Sequence, residues 1–237
     1  MTLQYKELAK YYDASYHWKD YKIESECVHL LIKKYKKTKG KDLLEVACGT
    51  GNHIEYLKKN YNITGLDLNK QMLDIARKKF KGIEFVKEDM RSFSLKKKFD
   101  VIVCLFSSIA YLPNKAELKK AIKNFSKHLA DGGVMIIESF IRPETFEPGH
   151  INSFYLNQPD SKFFSVCVSK RRKNIAVLDE HILIADKSGV KYIKDHHELT
   201  MFKTNDFLGI MKREGLKPVY LKNGLMQNRG LFIGIKN

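Results

Sequence analysis

The chain has 237 residues, 43% hydrophobic and 30% charged, enough for one large globular domain or for one domain carrying an embedded subdomain. The opening Met1-Thr2-Leu3-Gln4-Tyr5-Lys6-Glu7 is polar and no apolar run approaches the roughly 20 residues that cross a bilayer, so neither signal peptide nor membrane helix is expected, and the expected compartment is the cytoplasm. The net charge of +16 admits a polyanionic partner, yet the lysines cover nearly every predicted surface, with modest clusters at 33–41, 96–98 and 170–173, and a solvated lysine-rich surface explains them more simply than nucleic acid.

In chain order, the aromatic stretch from Tyr11 to Tyr21 reads as an arm that either straps the body or covers a ligand. An amphipathic helix is predicted from about Ile23 to Tyr35, with Cys27, Leu30, Leu31 and Tyr35 able to share a face. The strand Asp42 to Val46 runs into two close glycines, Gly49 and Gly51, and then a helix to about Asn60. A second strand, Tyr61 to Asp67, leads through Asn69 as a helix cap into a helix from Lys70 to Phe80 with Met72, Leu73 and Ala76 inward. A third strand spans Glu84 to Lys87, and a fourth, Phe99 to Phe106, is apolar almost throughout. A helix from Lys115 to Leu129 and a fifth strand from Gly133 to Glu138 continue the alternation, which argues for a parallel sheet covered on both faces.

After Phe140 the pattern changes. Residues 151–158, 163–169, 174–185 and 190–201 read as strands with no helix between them, an antiparallel insertion. A helix at 204–214, a strand at 217–221 and a last strand from Gly230 to Lys236 follow, the closing pair expected as a hairpin at the sheet edge. The chain therefore divides into an arm and helix at 1–40, a core at 41–140, the insertion at 141–201 and a C-terminal part of the core at 202–237.

The glycine turn after the first strand lets the backbone bend sharply and brings main chain close to a ligand. It is not Gly-x-Gly-x-x-Gly, because Ile54 stands at the third position, and no Walker loop follows. An acid, Asp67, ends the second strand 18 residues after Gly49, placed to accept from both hydroxyls of a ribose. Together these features specify a nucleoside-containing cofactor. The cysteines Cys27, Cys48, Cys104 and Cys167 form no Cys-x-x-Cys unit, which argues against zinc or a disulfide framework. His196 and His197 beside Glu198 are adjacent on a strand and face opposite ways, so no metal site is expected. Ser107 lacks the Gly-x-Ser-x-Gly elbow of a hydrolase. From the residues alone His128 is a natural helix C-terminal cap.

The turn Val46-Ala47-Cys48-Gly49-Thr50-Gly51, the acid in Gly65-Leu66-Asp67-Leu68, and Asp89-Met90-Arg91-x-Phe93 resemble the class I S-adenosylmethionine methyltransferases. Further pieces are similar to the desosamine and mycaminose type of nucleotide-sugar N,N-dimethyltransferases. These are Tyr12-Asp13-x-x-Tyr16, Lys19-Asp20-Tyr21, Phe106-Ser107-Ser108-Ile109-x-Tyr111, His128-Leu129-Ala130-x-Gly132-Gly133-Val134, Pro143-Glu144-x-Phe146, Leu199-Thr200-x-Phe202 and Arg229-Gly230-Leu231-Phe232-Ile233-Gly234. The chain departs from that pattern at Ser139-Phe140-Ile141-Arg142, where the sugar enzymes tend to have paired tryptophans, and at Asn223 to Asn228.

The resemblance implies an α/β, Rossmann-like fold with a mostly parallel seven-stranded sheet and the antiparallel insertion as an acceptor wall and dimer contact. It implies S-adenosyl-L-methionine as cofactor, bound by Tyr21, Glu45, Ala47, Gly49, Gly51, Asp67, Leu68, Met72, Asp89, Met90 and Leu105. It implies His128 and Tyr12 as catalytic groups and Tyr16, Phe106, Ser107, Ser108, Tyr111, Arg142 and Arg229 as acceptor contacts, with guanidinium groups suited to a diphosphate. The expected acceptor is the amine of a nucleotide-linked amino sugar, methylated twice, and the expected assembly is a homodimer. Alternatives are another small amine or hydroxyl, RNA, or a non-catalytic S-adenosylmethionine-binding partner protein.

Overall fold

Runs of apolar residues bounded by turn formers become the strands of one seven-stranded sheet in the computed structural model, which describes residues 3–5 and 8–237. Its strands are β1 (Asp42–Val46), β2 (Asn62–Asp67), β3 (Glu84–Lys87), β4 (Phe99–Cys104), β5 (Leu129–Glu138), β10 (Leu216–Leu221) and β11 (Leu231–Lys236), in the order β10-β11-β5-β4-β1-β2-β3. β1 to β5 are parallel, and β11 runs antiparallel between β5 and β10. The expected closing hairpin forms, but of its two strands only β10 lies at the sheet edge. Sequence order reverses between β1 and β4, and the carboxyl ends of those two strands open a crevice where such sheets hold ligands.

Alternate residues of each strand feed two apolar layers. Leu44, Val46, Ile102, Cys104, Met135 and Ile137 face α5 (Lys115–His128) and α6 (Thr204–Arg213), with Phe93, Phe125, Phe207 and Phe232 filling the layer. Leu43, Val101, Val103, Val134 and Ile136 face the opposite layer, built with Val28 and Ile32 of α2 (Tyr21–Tyr35) and Ile54, Leu57 and Leu73. The inward face of α2 therefore turns on Glu24, Ser25, Val28 and Ile32, whereas Leu30, expected inward, is 62% exposed. Glu24 takes an inward position because Lys19, Glu24, His53 and Glu45 form a buried ion cluster beneath that helix, and the Ser25 hydroxyl donates to the His53 carbonyl at 3.5 Å. Side chains of Asp20, Asn69 and Asn114 accept amide hydrogens at the starts of α2, α4 (Lys70–Lys79) and α5, as capping requires.

The helix expected from the glycine turn to Asn60 is only α3 (Ile54–Leu57), because the amides of Asn60 and Tyr61 both close back on the Leu57 carbonyl and end it. β5 begins four residues early, at Leu129, and Gly133 stands where a Cβ would lie 2.9 Å from the Asp100 carbonyl oxygen. Among the described residues, no helix is long and apolar enough to cross a membrane.

Residues of the insertion form a second, antiparallel sheet, β6 (Ile151–Asn157), β7 (Ser161–Arg172), β8 (Ile175–Asp186) and β9 (Gly189–Thr200), in that order. Its inner face, through Phe163, Ile182 and Ile184, packs on Leu8 before α1 (Ala9–Ser15) and on Tyr11 within it. The outer face carries Tyr155, Phe164, Leu183 and Tyr192, paired in register across all four strands and each at least 40% exposed.

Phe232 is fully buried and stacks on Phe207 with ring centroids 4.2 Å apart. Phe232→Ala should destabilise the fold by about 3–5 kcal/mol, read from the midpoint of urea unfolding; a change within experimental error would contradict this placement of the core.

Candidate active site

Backbone conformation sets the site. Ala47, Gly49 and Gly51 have φ values of 56°, 56° and 82°, so the chain leaving β1 coils through the left-handed region rather than continuing outward. A Cβ at Gly51 would meet Cε2 of Phe80 at 2.7 Å, which leaves glycine as the residue that fits there. At the end of β2, Asp67 accepts the Gly49 amide hydrogen at 2.8 Å on one carboxylate oxygen and the Asn69 amide hydrogen at 2.8 Å on the other. Burial raises the carboxyl pKa, and the two amides pull it part of the way back by favouring the anion. One acid thus joins the glycine turn, β2 and the start of α4.

Around Asp67 opens a cavity of about 590 Å³. Leu66, Leu68, Met72, Glu88, Asp89, Met90 and Arg91 line one end, and Tyr5, Tyr12, Phe106, Ser108 and Tyr111 the other. A second, small cavity of about 30 Å³ lies beside it at the turn and shares Ala47 and Gly49 with it, lined by Tyr21, Glu45 and Leu105 among others. A third cavity, about 430 Å³, lies between α1 and the inner face of the second sheet, with Tyr11, Tyr16, Trp18, Phe154, Phe163 and Glu180 in its walls. Tyr12 lines all three. The carboxylate, the apolar side chains beside it and the small cavity at the turn match a nucleoside joined to an amino-acid tail.

The end of β4 is bent by two consecutive left-handed residues, Phe106 and Ser107, each with φ 54°. Such backbone persists only where surroundings hold it. Here the Phe106 amide donates to Glu138 at 2.7 Å, and the Ser107 hydroxyl accepts the Phe140 amide hydrogen at 2.7 Å. The bend turns the Phe106 ring into the cavity. Glu138 is fully buried, and burial lifts its carboxyl above the usual carboxylate range.

Most of the expected cofactor contacts are brought together. Gly51 shapes the turn without lining a cavity, Glu45 lies 3.6 Å from His53, and Asp89 is held by the Arg91 amide and guanidinium, whose bond keeps its carboxyl below the usual range. Tyr16 lines the third cavity, while Phe106, Ser108 and Tyr111 line the first.

Four expectations fail on geometry. His128 is at the amino end of β5, the opposite end of the sheet from Asp67; its Nδ1 is 2.9 Å from the Asn124 carbonyl, Nε2 accepts the Leu95 amide hydrogen, and the ring packs on Phe93. It caps a helix. Ser107 is committed to the bend. Arg142 is 3% exposed, donates to Thr204 and Tyr220 and lies against Gly230, so its charge stays inside the protein. Arg229 stacks 4.3 Å above Phe140 and stands 3.9 Å from Glu138, supporting the bend rather than lining any of these three cavities.

Sequence reasoning missed Tyr5, Asn69, Arg91, His196 and Glu198 as cavity walls, and His197 just behind them. Only Asn69, as a cap beside Asp67, left a local signal; the others reach the cavity through tertiary packing.

Residues 43–133 match the model of a methyltransferase domain. Over 219 residues the chain is 35% identical to dTDP-3-amino-3,4,6-trideoxy-alpha-D-glucopyranose N,N-dimethyltransferase of Streptomyces venezuelae, covering 92% of each. It is 31% identical to dTDP-3-amino-3,6-dideoxy-alpha-D-glucopyranose N,N-dimethyltransferase of Streptomyces fradiae, over 97% of this chain and 91% of the relative. The chain belongs to the sugar N,N-dimethyltransferase family. The crystal structure of Streptomyces venezuelae DesVI superposes with a TM-score of 0.90 at 34% identity, over 97% of this chain and 98% of that one. The S-adenosylmethionine-bound CalS10 of Micromonospora echinaspora, an amino pentose methyltransferase, superposes at 0.86 with 30% identity, over 95% and 96%. This family member is an S-adenosylmethionine-dependent methyltransferase, and the cavity around Asp67 suits that donor.

Asp67→Ala should weaken S-adenosylmethionine binding about a hundredfold or more, as two hydrogen bonds to a charged group and the anchor of the turn disappear; unchanged affinity in calorimetry would contradict the assignment. His128→Gln should leave turnover intact. Burial lowers the His128 pKa, so the unfolded chain binds the proton more readily, and this group's contribution, full above pH about 6.5, is lost as pH falls. The variant should lose less stability between pH 7 and 5 than the parent in thermal melts.

Proposed function

We propose that the protein transfers two methyl groups in succession from S-adenosylmethionine to the amine of a nucleotide-linked amino sugar. The observation that carries this reading is full-length similarity to enzymes named for that acceptor class, combined with a donor-sized first cavity and the third cavity, which meet at Tyr12. The donor, when bound, supplies an electrophilic methyl on a sulfonium.

Asp67 holds the ribose hydroxyls, Leu68, Asp89 and Met90 surround the adenine, and Tyr21, Glu45 and the Gly49 turn hold the amino-acid end. Tyr12 stands where the methyl is exposed to the acceptor, which enters from the cavity beneath the second sheet. Alignment of the two reactants supplies most of the acceleration, since an in-line transfer between positioned groups needs little acid–base chemistry beyond a free amine.

We also propose a homodimer formed through the outer face of the second sheet. The Tyr155, Phe164, Leu183 and Tyr192 row is a continuous apolar band that a second copy covers with the same band.

Incubation with a panel of dTDP-linked amino sugars should give a product two methyl groups heavier than the acceptor and two equivalents of S-adenosylhomocysteine. Methylation of a simple amine or an RNA but of no nucleotide sugar would overturn the acceptor assignment. Leu183→Lys should shift the protein from dimer to monomer in sedimentation; an unchanged state would remove this face as the contact.

A further inference from the structure

Tyr111, in the cavity wall, is joined to a buried pair that the reaction as described leaves idle. Its hydroxyl lies 2.8 Å from His197 Nδ1 and 2.9 Å from the Tyr5 hydroxyl. Behind the imidazole, Nε2 stands 3.3 Å from Asp195 Oδ2. The side chains of His197 and Asp195 are 4% and 2% exposed. Asp195 also accepts the amide hydrogens of Leu3 and Gln4 at 2.8 and 2.7 Å, which fixes the turn that lays Tyr5 on Tyr111. The line therefore runs from cavity wall to buried carboxylate through three side chains from two separate parts of the chain: the 3-10 turn after β4 for Tyr111, and β9 for His197 and Asp195.

A nucleotide-linked amine arrives largely as an ammonium ion, which has no lone pair, and the monomethylated product of the first transfer is an ammonium ion again. Each round requires one N–H bond to break before attack. His128, at the far end of the sheet, does not reach that proton.

We propose that Tyr111, His197 and Asp195 form a proton relay that deprotonates the acceptor amine. The ammonium N–H breaks as its proton passes to the Tyr111 oxygen, while the Tyr111 O–H breaks and its proton joins His197 Nδ1. The amine keeps the N–H electron pair as its nucleophilic lone pair, and the imidazolium charge is balanced by Asp195. After the product leaves, the proton returns along the same line to solvent through Tyr111, which is 37% exposed. This inference rests on the amine acceptor assigned above.

Tyr111 is 37% exposed overall, but desolvation of its hydroxyl, with neighbouring Tyr16 and Tyr12, raises the phenol above its ordinary value despite the bond to Tyr5, so Tyr111 works by exchanging protons, not as a standing phenolate. Burial pushes Asp195 up, but His197 and the two amides outweigh it and keep the carboxyl below its usual range. The charged and titratable groups facing His197 are Asp195 on its own strand, Glu180 of β8, Tyr111, and Tyr5 of the N-terminal turn. Tyr111 touches the acceptor as a catalytic residue, and His197 and Asp195 act through it.

The test is the pH dependence of kcat for Tyr111→Phe and His197→Gln, each checked for folding by thermal melt, with an amino sugar that the parent enzyme is first seen to methylate. Both variants should lose about a hundredfold in kcat at pH 7 with unchanged affinity for S-adenosylmethionine. Most of that loss should disappear near pH 9.5, where the acceptor is already a free amine. A loss that is the same at both pH values, or no loss at pH 7, overturns the relay. Failure of the parent enzyme to methylate any amine overturns instead the acceptor reading beneath it. If His197→Gln does not fold, Tyr111→Phe, which removes one hydroxyl from the cavity wall, decides the matter alone.

Discussion

The carboxylate of Asp67 is the constraint on which the site depends. An acid drawn out of water is costly unless its charge is met by hydrogen bonds, and the partners of the half-buried Asp67 are the amides of Gly49 and Asn69. Those two bonds fix the turn after β1 against the start of α4, and so fix the mouth of the crevice at the point where strand order reverses. The acid consequently does two things. It builds the turn, and it leaves its remaining lone pairs toward the cavity.

A second constraint closes the site from above. The N-terminal residues are tied down at several places: Asp195 grips the turn at Leu3–Tyr5, Asp13 pairs with Lys79 and accepts from Thr50, and Lys19 is buried with Glu24 and His53. Burial favours the neutral forms of Lys19 and His53, while the glutamates pull the other way; the lysine pKa ends lowered and the histidine pKa ends raised. The arm is therefore a packed wall carrying Tyr5, Tyr12 and Tyr16, and the second sheet, through His197 and Glu180, supplies the polar groups opposite it. The first and third cavities share Tyr12 because two segments distant in sequence converge on it.

The alternation of strand and helix, the glycine turn, Asp67 and the antiparallel insertion were legible in the sequence because each leaves a local mark: an apolar run, a residue that tolerates left-handed backbone, a cap or a change of period. His128 misled because a histidine at a helix end looks the same whether the helix points toward the crevice or away from it, and only the sheet topology decides. Arg142 and Arg229 misled for a related reason. A guanidinium fits a phosphate, but it also fits aromatic faces and a buried glutamate, and that is where the folding of β5 against β11 leaves them. The line from Tyr111 to Asp195 joins residues 84 positions apart at its ends and carries no local signal; the register of β9 alone turns His197 inward and His196 outward.

The most direct measurement is a crystal structure with S-adenosylhomocysteine and a nucleotide-linked amino sugar bound together. The account predicts both ribose hydroxyls of the spent donor on the Asp67 carboxylate, its sulfur facing Tyr12, and the sugar nitrogen between that sulfur and the Tyr111 hydroxyl. A spent donor seated away from Asp67, or a sugar nitrogen turned away from the sulfur, would contradict it.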